Sequence, residues 1–417
     1  MKENKSMVRG SLAVIGGGYG GLCSAVMASA SGFDVTVFER QDKTLKKLAI
    51  TGNGRCNISN QKIDISDYVT GDVHSLEKIL SAFSSEKENA FFRELGLILR
   101  ADESRLYPIT GKASSVTDAL RYKCNESGVT FICDADVTEV VKKGSKFEIR
   151  LRDGSFEHFF DRCILSCGGA AGVYKENANN GYDIAKKAGH TVKPVYPALT
   201  KVICSSGEQK ELKKLDGIRS RAAVSLFEGS DKFIALESGE VQFTATGLSG
   251  IPVFDLTRYM DAHGAGHYYV SVDLLPGFSD EDFLERTELF SKRTPETFFT
   301  GLLLPQFIPV ICDRCGISIH KNIADMTYNE LDSLKSVLHD LRFTVDKTGD
   351  MANAQISAGG VPLSEVDEHM GSKIVKGLYI IGEMLDVAGR CGGYNLHFAA
   401  TGAYNAVEGM KNDAENR

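Results

Sequence analysis

The chain has 417 residues, 42% of them hydrophobic and 25% charged, which is ordinary globular usage and excludes collagen, coiled coil and wholesale disorder. Its 48 Lys+Arg against 55 Asp+Glu give a net charge of −7, which argues against broad nucleic-acid binding but leaves room for a local basic groove. A single core rarely grows past about 250–300 residues, so two or three domains are expected.

Met1–Gly10 is polar. Ser11–Ile15 (SLAVI) reads as a buried strand, followed by a glycine cluster and by small residues at helical spacing over Leu22–Ser31. Asp34–Phe38 (DVTVF) is a second strand, ending at Glu39. This is a βαβ unit. The apolar run Leu12–Ala30 imitates a membrane segment, but the five glycines within Gly16–Gly21 would interrupt a spanning helix. A soluble, cytoplasmic protein is expected, with its ten scattered cysteines reduced.

Thr51–Asn60 is a polar Gly/Asn loop, Leu76–Leu97 has helical periodicity, and Val116–Ser127 reads as a helix. Thr130–Cys133, Val137–Lys142 and Lys146–Leu151 read as strands, and Cys163–Cys167 as a buried strand leading into Gly168–Gly169. Asn180–Gly189 is helical. From about Lys193 the texture changes. Ala222–Phe227, Lys232–Glu237 and His267–Leu274 suggest an antiparallel sheet or small barrel, and Asp280–Leu341 turns helical. Gly377–Gly382 returns to buried strand, and Gly393–Gly409 is an Ala-rich helix. The expected organisation is α/β: a discontinuous nucleotide domain (1–193 and 352–417) carrying a barrel-like insertion (194–275 and 341–351) and a small helical subdomain (276–340).

Gly16-x-Gly18-x-x-Gly21, with further glycines at 17 and 20, follows a strand and opens a helix. Such a turn lets backbone approach a diphosphate and lets the helix start receive it. Glu39, 18 residues after Gly21, is placed to accept from a ribose, with Arg40 beside it. Two later features favour FAD over a nicotinamide cofactor. Gly382–Glu383 follows a buried strand, where a carboxylate can meet a ribityl hydroxyl. Gly392–Gly393–Tyr394–Asn395 opens the last helix, whose positive end would favour electron density at a flavin ring edge.

Lys47–Asn57 (KLAITGNGRCN), Cys167–Gly169, Val241–Gly250 (VQFTATGLSG) and Ala354–Asn395 together resemble the segments of the BaiN/YhiN-like, aminoacetone-oxidase-like family of bacterial FAD flavoproteins. The matches span residues 11–405. The resemblance implies a glutathione-reductase-like, Rossmann-type FAD-binding domain with an inserted β-barrel domain and a small helical subdomain. It places Gly16, Gly18, Gly20, Gly21, Glu39 and Arg40 on the ADP half of FAD, and Lys47, Arg55 and Asn57 along the cofactor. It places the Val137 backbone at the adenine, Gly168 and Gly169 at a strand end, Gly382, Glu383 and Asp386 toward the ribityl chain, and Gly392, Gly393, Tyr394, Asn395 and Leu396 at the ring. Asn53, Ala245 and Cys391 depart from the pattern, so Ala245 receives no acid–base role.

Tyr394 and Arg55 are the catalytic candidates: a phenol at the ring edge as proton donor, and a guanidinium for phosphate or substrate, against ring packing and a surface ion pair respectively. Cys56 and Cys391 are expected as small apolar filler, against a redox pair, and Cys312-x-x-Cys315 as helical core, against a metal or redox role, since a zinc site needs four ligands, only His320 lies nearby and there is no second C-x-x-C. His397 is read as a structural helix residue; His190, His263 and His267 receive no role.

The resemblance implies an FAD oxidoreductase reducing a C=C conjugated to a ketone in a small or steroid-like molecule. Hydride would pass from NAD(P)H to flavin N5 and on to the alkene β-carbon. No second G-x-G-x-x-G with a following acid occurs, so NAD(P)H would dock transiently in the same cleft. An amine oxidase of aminoacetone type, a ribosomal RNA dihydrouridine-forming enzyme and a non-enzymatic flavin redox sensor stand as alternatives. The expected partner is a small molecule, with nucleic acid disfavoured by charge and no membrane.

Overall fold

The computed structural model describes residues 9–154, 157–172, 180–261 and 267–415. Most of the polar N-terminal stretch (1–8) and His263 lie outside these described residues. The chain divides into two compact units, Met1–Tyr196 with Ile356–Arg417, and Pro197–Gln355. The sequence reading set its domain limits at 193/194 and 351/352, three and four residues before these breaks.

The first unit is built on β1 (Ser11–Ile15), α1 (Tyr19–Ala30) and β2 (Asp34–Phe38). A five-stranded sheet runs Leu378–Ile380, Arg162–Leu165, β1, β2, Thr130–Ile132, and every neighbouring pair is parallel. Parallel sheets are covered on both faces, so their strands read as unbroken apolar runs. Leu12, Ala13 and Val14 are fully buried, as are Ile164 and Leu165 beside them. Small residues on α1 admit a second helix closely: a methyl added at Gly20 would lie 3.5 Å from the Ala399 methyl of the C-terminal helix Tyr394–Glu415.

The periodic stretch Leu76–Leu97 forms two helices, Val73–Ser81 and Ser85–Glu94. Ser84 leaves helical geometry (ψ 161°) and caps the second helix by accepting from Lys87 N–H at 3.5 Å. Two minor pairings matter for the site. Ser59–Asn60 pairs with Arg105–Pro108, and Tyr68–Thr70 pairs antiparallel with Val387–Gly389.

The second unit is a closed six-stranded antiparallel barrel, ordered Val202–Cys204, Gly247–Ser249, Lys232–Thr244, Arg219–Glu228, Tyr268–Asp273, Leu341–Thr348. Val224, Val241, Phe243, Val270 and Phe343 fill it. Phe283, Ile308 and Leu334, from the helices of the expected subdomain 276–340, belong to that same apolar cluster, so those helices share the barrel's core. Among the described residues no helix is long and apolar enough to cross a membrane.

Candidate cofactor site

The glycine turn after β1 shows a division of labour. Gly16 has φ +106°, and a methyl there would meet the Ser166 carbonyl oxygen at 2.5 Å. At Gly21 a methyl would sit 2.0 Å from the Gly16 carbonyl oxygen, so only glycine lets α1 pack onto its own strand. Gly18 is different. It caps α1 with an ordinary φ of −79°, and nothing lies within 4 Å of the position a methyl would take. The helix it opens has no side-chain cap and no acidic residue in its first turn. An uncapped helix start facing open space, with backbone N–H groups and the positive end of the dipole, suits a diphosphate.

Glu39 stands at the end of β2, where Oε2 accepts from Gly17 N–H (2.7 Å) and Oε1 from Gln41 N–H (2.8 Å). A carboxylate has about four acceptor sites, so two remain for ribose hydroxyls while the other two hold the turn. Arg40 is half-buried beside it, near enough to Cys167 to oppose the rise that burial imposes on that thiol. Val137 is buried and its N–H bonds the Ala135 carbonyl at 3.1 Å.

A second polar knot joins distant stretches of this unit. Glu383 accepts from Lys47 Nζ (2.8 Å) and from the Ser357 N–H (2.8 Å), and Ser357 Oγ accepts from Ala170 N–H (2.8 Å). A methyl at Gly169 would lie 2.1 Å from Glu383 Oε1, which explains the second glycine of that pair; Gly168 takes φ +75°. Gly382 takes φ +67°, and a methyl there would lie 3.5 Å from the Ala399 methyl. Asp386 bonds Lys193 Nζ at 2.6 Å and stands apart from this knot in its bonding. Sequence reasoning passed over Ser357, although it is the serine of the Ala354–Gly360 segment on which the resemblance rested.

The start of the C-terminal helix is braced from several sides. Gly392 and Gly393 have φ +127° and +94°, and a methyl at Gly393 would lie 2.4 Å from the Ser59 carbonyl oxygen. Asn60 Nδ2 donates to the Gly392 carbonyl (2.9 Å). Asn395 grips Gly389 at two points, accepting from its N–H and donating to its carbonyl, both at 2.8 Å. Tyr68 donates from its hydroxyl to the Tyr394 carbonyl (3.1 Å), and the two rings meet edge to face at 6.0 Å. Tyr394 is buried and Leu396 half-buried. The first intrahelical bond here runs from His397 N–H to the Gly393 carbonyl (2.9 Å), and the first turn carries no acidic residue.

Not every expected residue joins these groups. Arg55 is half-exposed, stacked over the Tyr107 ring at 4.8 Å and 3.4 Å from Asp102. The structure therefore gives it the surface ion-pair and stacking environment. Asn57 is more suggestive, because its Oδ1 is buried without a protein hydrogen-bond partner, a costly condition that a ligand donor would relieve. Cys56 is buried with φ +54°, and burial pushes its thiol up to about 12. All ten cysteines are free thiols. Burial likewise raises Cys312 and Cys315 to about 11. Among the described residues no group of three or more His, Cys, Asp or Glu is placed to hold a metal.

FAD needs an anion cradle, a ribose acceptor and a site for its ring. The open Gly18 helix start, the half-used Glu39 carboxylate, the orphan Asn57 oxygen and the braced Gly392–Gly393 turn fit that group. The Gly20–Ala399 contact lies five residues into the second helix, ~7.5 Å along its axis from its start. Two helix N-termini thus lie close together in one unit.

Fold and site define the class, a Rossmann-type FAD-dependent oxidoreductase. The chain belongs to the HI0933-like protein Rossmann domain family, which matches residues 10–409. It is 32% identical over 401 residues, 94% of this chain and 97% of the relative, to the 3-dehydro-bile acid delta(4,6)-reductase of Clostridium scindens. It is 26% identical over 395 residues, 94% of this chain and 96% of the relative, to the ribosomal RNA dihydrouridine synthase of Haemophilus influenzae. A solved 3-ketosteroid-delta4-(5alpha)-dehydrogenase from Rhodococcus jostii superposes with a TM-score of 0.50 at 12% identity, covering 96% of each chain, which speaks to the fold.

Proposed function

We propose that this protein reduces a C=C bond conjugated to a ketone in a small, steroid-like molecule, with NAD(P)H as the electron donor. When bound, FAD supplies a centre that takes up a hydride from one partner and gives it to another. The residues of this chain hold it and set its surroundings. Gly16, Gly18, Gly20 and Gly21 with the start of α1 would take the diphosphate. Glu39, with Arg40 beside it, would take the ribose of the ADP half, and the Val137 backbone the adenine. Lys47, Ser357 and Glu383, with Gly168, Gly169 and Gly382, form the polar wall toward the ribityl chain. Gly392, Gly393 and the first turn from Tyr394 through Leu396 place the positive end of a helix at the ring, which stabilises negative charge developing there. Tyr394 is the proton-donor candidate, buried and held by Tyr68.

The observation that carries the reading is the pairing of the open Gly18 helix start with the braced Gly392–Gly393 turn. The substrate class draws its support from the delta(4,6)-reductase relative, matched along 97% of its length. The test is anaerobic: NADPH or NADH bleaches the bound flavin, and a 3-keto-Δ4 or Δ4,6 steroid restores its colour with loss of the enone absorbance. A second reading, uridine reduction in ribosomal RNA, is favoured by the dihydrouridine synthase relative. It predicts that ribosomal RNA fragments, rather than enones, reoxidise the flavin. Flavin that no nicotinamide bleaches would contradict the proposed donor.

A further inference from the structure

Behind the Gly392–Gly393 turn lies a buried polar cluster to which the FAD-site reading gives no role. Glu88, on the helix Ser85–Glu94, is 3% exposed; His397, in the first turn of the C-terminal helix, is 3% exposed; Ser59 is fully buried. Glu88 Oε1 lies 2.9 Å from His397 Nδ1, and Glu88 Oε2 accepts from Ser59 Oγ at 2.8 Å. Ser59 Oγ also lies 3.3 Å from His397 Nδ1, closing a triangle. The two ends of this triangle touch the turn directly. The His397 N–H bonds the Gly393 carbonyl, and the Ser59 carbonyl lies where a Gly393 side chain would be. Other groups face it: the Tyr19 phenol and Cys23 thiol of α1, and the Tyr68 phenol, all feel the Glu88 charge. His397 also tilts against the Phe83 ring at 6.4 Å.

A carboxylate removed from water is retained only where it is paired and hydrogen-bonded. Apolar residues would fill this space at less cost, so a charge kept here is matched to something nearby. We infer that Glu88, through Ser59 and His397, is a positioning residue for the flavin: it fixes the Gly392–Gly393 turn and offsets part of the positive helix end that faces the ring. This inference rests on the proposed FAD site. It assigns Glu88 no contact with substrate or cofactor and no proton transfer.

The experiment uses the full-length holoprotein and reads the flavin midpoint potential by dye equilibration, together with the visible spectrum. Removing the negative charge leaves the positive helix end unopposed and favours reduced flavin. Glu88→Gln is therefore expected to shift the reduced/oxidised equilibrium about tenfold toward reduced, a rise of about 30 mV for a two-electron couple. Glu88→Asp, which keeps the charge, is expected to stay within threefold of wild type. Ser59→Ala is the second arm should Glu88→Gln fail to fold: it keeps the charge, so the potential is expected within threefold of wild type, but it removes the bond that ties Glu88 to the turn and is expected to alter the fine structure of the flavin band. Variants that melt earlier while potential and spectrum match wild type would reduce the cluster to a structural brace and overturn the inference. A wild-type protein that binds FAD but shows no shift in any variant overturns it alone; a wild type that binds no FAD overturns it together with the FAD reading.

Discussion

Lys47 and Glu383 are 336 residues apart in the chain and 2.8 Å apart in space. Glu383 is the better buried partner, 18% exposed against 39% for Lys47, and it also accepts from the Ser357 backbone. The contact ties the short helix Lys46–Ile50, which follows β2, to the segment that returns after the barrel. A half-exposed ion pair contributes about 1 kcal/mol or less, so its main consequence is geometric. Glu383→Gln is expected to fold and to melt within a few degrees of wild type. It should lose FAD about tenfold more readily, because Lys47 and the Gly169 loop are no longer held at the proposed cofactor wall. Fluorescence titration with FAD beside a thermal melt of the apoprotein checks both halves.

His190 is buried between Glu365 and Ser372, at 2.8 Å from each. Although desolvation opposes it, hydrogen bonds from Thr191 and His190 hold the Glu365 carboxyl below its ordinary range. A carboxylate with a depressed folded pKa stabilises the fold above its unfolded pKa, and that contribution fades as pH falls through the folded value. Wild-type stability should therefore decline as pH falls from about 4.5, and Glu365→Gln should flatten that limb while lowering stability at neutral pH. Urea melts between pH 7 and pH 3.5 provide the check.

Cys56 sits in the loop next to Asn57, but its side chain is buried, and burial pushes its thiol up to about 12. A thiol kept protonated is a poor nucleophile and a poor redox partner. Cys56→Ala should retain FAD and at least half of any enone-reducing activity measured for the wild type, and Cys56 should resist iodoacetamide at pH 8 in the native protein. Loss of turnover in the alanine variant with FAD still bound would point to redox chemistry at this sulfur.

The sequence made the first unit legible because its signals are local. Strands buried on both faces lack polar alternation, and the glycines at 16, 18 and 21 sit at fixed offsets from β1. The closed barrel was visible only as texture, since strand order and closure depend on pairings such as Val202 with Thr348, which no short window contains. The helices over 280–339 were readable as helices, but their share in the barrel's apolar cluster was not, because amphipathic faces do not announce what they pack against. At the site, the backbone devices were readable and the side-chain partnerships were not. Glu383 could be placed near the cofactor, but its bonds to Lys47 and Ser357 come from opposite ends of the chain. The surroundings of Arg55 were hidden for the same reason: its stacking partner Tyr107 lies on a hairpin 52 residues downstream.

If the start of α1 receives the diphosphate of FAD, Gly18→Ala is the substitution that reads this out. Gly18 has φ −79° and no protein atom within 4 Å of a methyl at that position, so alanine costs the apoprotein almost nothing. The expected result is an apoprotein melting within about 1 °C of wild type, with FAD affinity weakened at least tenfold, ~1.4 kcal/mol. An alanine variant that binds FAD as tightly as wild type would contradict it.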